Sequence, residues 1–90
     1  VEIEFDEEKR RKILEERGLD LADAKLVFAE EHFQIEDNRK DYGEQRFRVW
    51  GFLQGQRVSL VWTLRNGKRR IITLRQAHEY EHQTRLRTLD

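Results

Sequence analysis

The sequence predicts an α+β domain, a mostly antiparallel sheet with two N-terminal helices and one C-terminal helix packed against it. Three observations carry this. Val58, Leu60, Trp62 and Leu64 recur at period two, which places them on one face of a strand. Asn66-Gly67 follows directly, the pair a two-residue hairpin favours because both turn positions take positive φ. Upstream, Leu21, Ala24 and Phe28 recur at helical spacing.

The elements follow in order. EIEF, residues 2–5, alternates polar and apolar and reads as a short strand. Asp6 is placed to cap a helix whose first turn carries Glu7 and Glu8, where the helix dipole favours acids. Gly18 ends that helix after Arg17. Its apolar face is thin, chiefly Ile13 and Leu14, so it is expected on the surface of a sheet. Asp20 caps a second helix, in which Ala22, Leu26 and Val27 widen the apolar stripe. HFQIED, 32–37, reads as a strand and NRKDYG, 38–43, as a loop. QRFRVWGFL, 45–53, RVSLVWTLR, 57–65, and KRRIITLR, 68–75, form a three-strand meander, with QGQ at 54–56 as its first turn. From Gln76 the chain is helical in character to Asp90.

Residues 1–90 are expected to form a single domain. A domain of this size buries only roughly 60–65% of its unfolded surface, so its core must be compact. Without Cys, disulfides and thiolate metal sites are excluded. No apolar run is long enough for a signal peptide or a membrane span, so a cytoplasmic protein is expected. Position 1 is not Met, and the chain is expected to lack its initiator residue. The net charge of zero hides a division. Residues 1–45 hold fifteen Asp/Glu and eight Lys/Arg, whereas residues 46–90 hold three Asp/Glu and ten Lys/Arg. Two halves that neutralise each other are one reading, and a basic face for a phosphate backbone is the other.

HEYEH, 78–82, fits H-E-x-x-H, the helical signature of a zinc hydrolase. Such a site needs a third protein ligand and an open coordination position. Only eight residues follow His82, and the remaining histidine, His32, lies far upstream. The motif is therefore read as a helix face rich in His and Glu, with no metal or other cofactor expected.

Two segments carry a resemblance. EDNRKDYGEQRF, 36–47, and RRIITLRQAHEYE, 69–81, resemble the BrnT family of ribonuclease toxins, the toxin halves of bacterial type II toxin–antitoxin pairs. The central family pattern maps onto Asp37, Arg39, Asp41, Tyr42, Gly43, Glu44, Arg46 and Phe47. The later one maps onto Arg70, Ile71, Ile72, Arg75, Ala77 and Glu81. EIEFD, then Lys9, Gly18 and LADAKLVF at 21–28 fit the family order as well. Departures exist: Ile13, Glu16-Arg17 before Gly18, Thr73-Leu74, His78 and His82 stand where the family commonly has other residues. The resemblance implies a RelE-like fold and metal-free cleavage of RNA that inhibits translation. It also implies a cognate antitoxin of ribbon-helix-helix type, in an expected heterotetramer that reaches DNA only through the antitoxin.

Metal-free RNA cleavage uses the substrate's 2′-hydroxyl as nucleophile. The protein must take that proton, give one to the leaving 5′ oxygen, and stabilise charge on the phosphoryl oxygens. Arg75 leads for the last role, because a strand ends and a helix begins there and helix amides are expected to point at the same phosphate. Ile72 and Leu74 share parity with Arg70 and look core-facing, which leaves Arg69, Thr73 and Arg75 as the open set. The family match favours Arg70 instead, so both readings stand. Arg46 and Glu44 form a structural pair, or Arg46 binds phosphate while Glu44 acts as base. Tyr42 anchors a turn, stacks on a base or donates a proton. His78 and His82 are acid or base candidates, or solvated helix residues. Glu81 orients an arginine or forms a plain salt bridge. Arg39, Arg65, Lys68 and Arg69, with Tyr42, are the expected RNA-binding set. Trp50 and Trp62 are expected in the core or at a partner interface. A catalytically inactive relative that only binds antitoxin and co-represses is the alternative left by the departures.

Overall fold

The computed structural model describes residues 2–81 of the chain. Strand β1 is Ile3–Glu4, and helix α1 is Glu7–Arg17. Asp6 caps α1, its Oδ1 accepting from the Glu8 and Lys9 amides at 2.8 and 3.2 Å. Gly18 ends the helix in the left-handed region at φ 69°, and its amide donates to the Leu14 carbonyl. Ile13 is the buried residue of α1, while Leu14, the other residue of the expected apolar face, is exposed.

Asp20 caps the next helical segment through the Ala22 amide, at 2.9 Å. The segment opens as a 3₁₀ turn, Leu21–Asp23, before helix α2, Ala24–Ala29. Leu21, Ala24 and Val27 are buried, while Leu26 is exposed and Phe28 packs at the margin. The stripe thus advances by three, the step that brings side chains into line in a 3₁₀ turn.

Strands β2 (Phe33–Glu36), β3 (Arg46–Leu53), β4 (Gln56–Arg65) and β5 (Lys68–Gln76) form an antiparallel meander. The expected three-strand meander is therefore extended by β2. Strand β1 adds to the far edge, parallel to β5, giving the order β1-β5-β4-β3-β2 in a five-stranded mixed sheet. The connection through α1 and α2 carries the chain from one edge of the sheet to the other. Both meander turns have two residues in the left-handed region: Gln54-Gly55 at φ 51° and 82°, and Asn66-Gly67 at 54° and 74°. Gln56, expected in the first turn, pairs with Leu53 inside β4.

One sheet face holds the core. Val49 and Leu53 of β3, Val58, Leu60 and Trp62 of β4, and Ile71 and Leu74 of β5 meet Leu21, Ala24 and Val27 there. Gly51 lets α2 approach, since a Cβ at this position would stand 2.9 Å from Val27 Cγ1 and 3.1 Å from His32 Cβ. Leu64 shares the parity of this face but is 63% exposed at the hairpin end, outside the core the period-two stripe assigned it to.

The strand parity expected for β5 does not hold along its whole length. Val61 pairs with Thr73 and Trp62 with Ile71, so Ile72 is an extra residue in β5. This bulge inverts the alternation: Ile71 is 2% exposed and Leu74 fully buried, three positions apart rather than two. Ile72 is accordingly not a core-face partner of Leu74. Arg69 falls on the core face, its guanidinium 4.1 Å from the Phe28 ring centre and 5.2 Å from that of Trp62. Arg70, Thr73 and Arg75 share the opposite, open face. A uniform strand allows Arg70 or Arg75 on one face but not both, and the bulge admits both.

After β5, residues 79–81 begin a helix. The rest of the expected C-terminal helix, His82 included, lies outside the described residues. Among those described, no helix is long and apolar enough to cross a membrane.

Candidate functional site

The register across β3, β4 and β5 lays three rows over the open face. Arg46 stands beside Thr63 and Thr63 beside Arg70. Arg48, Val61 and Thr73 form the second row, and Trp50, Ser59 and Arg75 the third. The central strand thus supplies short side chains, with Ser59 and Thr63 buried, while the flanking strands supply Arg46, Arg48, Arg70 and Arg75, together with Thr73 and the buried Trp50. A shallow cleft of about 150 Å³ results, lined by Arg39, Arg48, Ser59, Val61, Thr73 and Arg75 among others.

The loop between β2 and β3 is built on Asp37, which is only 4% exposed. Its carboxylate accepts from Arg39 Nε and Nη2, both at 2.8 Å, from the Arg39 amide and from the Tyr42 hydroxyl at 3.2 Å. The Arg39 hydrogen bonds hold this carboxyl far below the usual carboxylate range, against the opposing effect of burial. The Asp37 amide donates to the Arg46 carbonyl at 2.7 Å, which ties the loop to the start of β3. Asp41 accepts from the Gly43 amide, and Gly43 takes φ 71°, the turn that returns the chain to the sheet.

Tyr42 presents its ring to Arg46, whose guanidinium carbon lies 4.2 Å from the ring centre. Glu44 bridges two arginines, accepting from Arg46 Nε at 2.9 Å and from Arg65 Nη2 at 3.1 Å. Those hydrogen bonds, Arg46 first, lower the Glu44 pKa and keep it ionised, which weakens it as a base near neutrality. Arg70 meets Glu4 of β1 at 3.5 Å, and Lys68 meets Glu2 at 3.5 Å.

Arg75 is held end to end by Glu81, with Nη1 and Nη2 donating to the two carboxylate oxygens at 3.2 and 2.8 Å. Glu81 Oε2 also accepts from the His78 amide at 2.7 Å, the reciprocal contact of a helix cap. Arg75 and the His78 amide pull the Glu81 pKa down to about 2. The helix begins three residues beyond the end of Arg75's pairing region, and the amide nearest its start is occupied by Glu81. The expected direct aim of helix amides at a phosphate beside Arg75 is therefore replaced by this clamp. The exposed His78 ring stacks on Tyr80, with centres 5.5 Å apart.

The fold thus brings Arg39, Tyr42, Glu44, Arg46, Arg70, Arg75 and Glu81 to one side of the sheet. Arg65 and Lys68 oppose each other at its hairpin end. Arg69 is on the other face. Two contributors escaped the sequence reading. Arg48 shares the period-two parity of Arg46, a signal already present in the strand 45–53. Arg17 reaches from α1 to the Leu74 carbonyl at 2.8 Å and the Thr73 hydroxyl at 3.3 Å, for which no local pattern gives notice. Chemically, the arrangement is a row of guanidinium groups around a floor of hydroxyls, suited to a phosphodiester.

Comparison with curated proteins finds no match. A family profile described as the ribonuclease toxin BrnT of type II toxin–antitoxin systems matches residues 5–81, which run from just after β1 to the start of the C-terminal helix. By that match, the chain belongs to the BrnT family of ribonuclease toxins, a type II toxin–antitoxin family that implies an antitoxin as its protein partner.

Proposed function

We propose that this chain is an endoribonuclease that cleaves RNA without a metal ion and thereby inhibits translation in the cytoplasm. The observation that carries this reading is the open face of the sheet, where Arg46 and Arg70 flank Thr63 and Arg75 follows on the same side of β5. In this reading the substrate's 2′-hydroxyl attacks its own phosphorus. Arg75, Arg70 and Arg46 bind the phosphoryl oxygens and offset the charge that grows on them. Glu81 and Glu44 position Arg75 and Arg46. Arg39, Arg65 and Lys68 follow the flanking phosphates, and Tyr42 offers a face for a base. His78, exposed two residues beyond the end of β5, takes the 2′ proton.

The fold is proposed to be RelE-like, and the antitoxin to be of ribbon-helix-helix type, in a heterotetramer that contacts DNA through the antitoxin alone. The acidic first half of the chain supports a basic segment of the antitoxin as its counterpart. The test is cleavage of a defined RNA by protein freed of antitoxin, in excess EDTA. Cleavage is expected to persist. Arg75→Ala is expected to lower it about 10²–10³-fold with the fold intact. Absence of cleavage by the unaltered protein, with antitoxin binding retained, selects the inactive co-repressor reading instead.

A further inference from the structure

The rows of the open face fix where a single phosphate can meet arginines from both ends. Arg46 and Arg70 stand in the first row and Arg75 in the third, with Arg48, Val61 and Thr73 between them. Successive rows on β3 are two residues apart, about 6.8 Å at the rise of an antiparallel strand. The outer rows are thus about 14 Å apart, so their arginines share one phosphate only over the middle row. Val61 forms the floor there, and its side chain has no hydrogen bond to offer. Polar contacts within this row come from its flanks, Arg48 on β3 and Thr73 on β5.

Two further observations set Arg48 at this place. It lines the shallow cleft together with Arg39 and Arg75, so three guanidinium groups border one small space beside Thr73 and Ser59. An oxyanion is the ligand such a space suits. Its guanidinium carbon also lies 4.6 Å from the centre of the Trp50 ring, which stacks on Phe33 with centres 5.6 Å apart. Trp50 is buried, so its ring gives the half-buried Arg48 a fixed support. An arginine meets an aromatic ring with its flat face and an oxyanion with its edge, so the two contacts are compatible. Arg48 lies one position past Phe47, outside the residues matched to the family pattern.

We infer that Arg48 is a further catalytic residue, whose guanidinium binds a non-bridging oxygen of the phosphate at which the RNA is cut. This role rests on the ribonuclease reading above, in which Arg46, Arg70 and Arg75 share that phosphate. Arg48 adds a fourth guanidinium, from β3 and within the middle row itself. As the 2′ oxygen attacks, negative charge grows on the non-bridging oxygens, and a donor already aimed at them stabilises that charge. Arg48 keeps its protons throughout, and no bond to it forms or breaks.

The experiment uses antitoxin-free protein and three substrates of one sequence. One is ordinary RNA, and the other two carry sulfur in place of one or the other non-bridging oxygen of the cut phosphate. Sulfur is a weak acceptor. The isomer with sulfur against Arg48 is expected to be cut about tenfold or more slowly than ordinary RNA, the worth of one charged hydrogen bond. Arg48→Met keeps an apolar cover on Trp50 and is expected to slow cleavage of ordinary RNA about 10²–10³-fold. It is also expected to cut that isomer and ordinary RNA at rates within a few-fold of each other. Arg48→Lys keeps the charge but not the planar fork, so it is expected to lose less and still to show a smaller sulfur effect. Full activity of Arg48→Met overturns the inference and leaves the ribonuclease reading in place. A sulfur effect of unaltered size in the variants does the same, since that is the result of a role confined to covering Trp50. If Arg48→Met does not fold, the sulfur effect in Arg48→Lys decides alone by the same criterion. Failure of the unaltered protein to cut ordinary RNA overturns the ribonuclease reading and this inference together.

Discussion

Arg75 and Glu81 face each other through two hydrogen bonds, at 3.2 and 2.8 Å, across the junction between β5 and the start of the C-terminal helix. The same carboxylate caps that helix through the His78 amide. One side chain thus sets both the aim of the arginine and the path of the chain beyond the sheet. Glu81→Gln keeps the size and one acceptor but loses the charge. It is expected to cost about 1–2 kcal/mol in stability, the scale of a charged hydrogen bond lost at a partly exposed site. If Arg75 acts on the phosphate, cleavage is also expected to fall about tenfold, from an arginine less well aimed. Paired measurements of the thermal midpoint and of kcat/KM check this, and unchanged activity at reduced stability would confine Glu81 to a structural role.

Asp37 gives a prediction about acid. Its folded-state pKa is depressed, so the unfolded chain binds the proton more tightly than the folded one. The contribution is therefore present in full above the unfolded value, near 4, and is lost as pH falls toward the folded value. Glu81 acts with the same sign, from the ordinary carboxylate range down to about 2. Stability is expected to be flat from pH 7 to 5 and to drop below pH 4. Asp37→Asn is expected to lower stability at pH 7 by about 2–3 kcal/mol, because Arg39 and Tyr42 lose an ionised acceptor. Its drop below pH 4 is expected to be shallower. Denaturant titrations of both proteins at pH 3, 5 and 7 measure this, and parallel curves would remove Asp37 as the source.

Arg69 and Arg70 are neighbours in sequence with separate surroundings. Arg69 lies over Phe28 and Trp62, and Arg70 meets Glu4 on the opposite face. Arg69→Ala is expected to cost about 1–2 kcal/mol, through a lost cation–π contact and the loss of its methylene cover over the rings. Arg70→Ala is expected to cost about 1 kcal/mol, since its ion pair with Glu4 is loose at 3.5 Å and half-buried, but to slow cleavage more than Arg69→Ala. Equal stability losses in the two variants would contradict the inverted face of Arg69.

The elements of this fold were legible where local chemistry decides them. Asp6, Gly18, Asp20 and Asn66-Gly67 each act through contacts within a few residues, and each stands where its side chain or φ preference directs. The bulge at Ile72 was not legible, since KRRIITLR alternates well enough for an unbroken strand. It is set by the match between β4 and β5, which is not local. That one extra residue decides which arginines face outward, so the site is harder to read than the fold. The short strand at the start of the chain was legible, but its parallel pairing with β5 was not, for the same reason: that two-residue pairing spans most of the chain.

Gly51 shows how much of the packing depends on a missing side chain. It lies in the middle of β3, a position that usually favours a branched residue. Here a Cβ would meet Val27 Cγ1 at 2.9 Å, closer than such atoms pack, and His32 Cβ at 3.1 Å, a tight contact. Glycine's cost in a strand is therefore offset by the close seating of α2 on the sheet. Gly51→Ala gains strand propensity but forces α2 outward, away from Val49, Leu53 and Val58. The net effect is expected to be a loss of about 1–3 kcal/mol, as for overpacking in other cores. Val27→Ala in the same chain removes the nearest clashing methyl. The double variant is therefore expected to lose less than the sum of the two single losses, a coupling of about 0.5–3 kcal/mol. Denaturant unfolding of the four proteins of this cycle checks it. Strict additivity would mean that α2 is not held by the contact with Gly51.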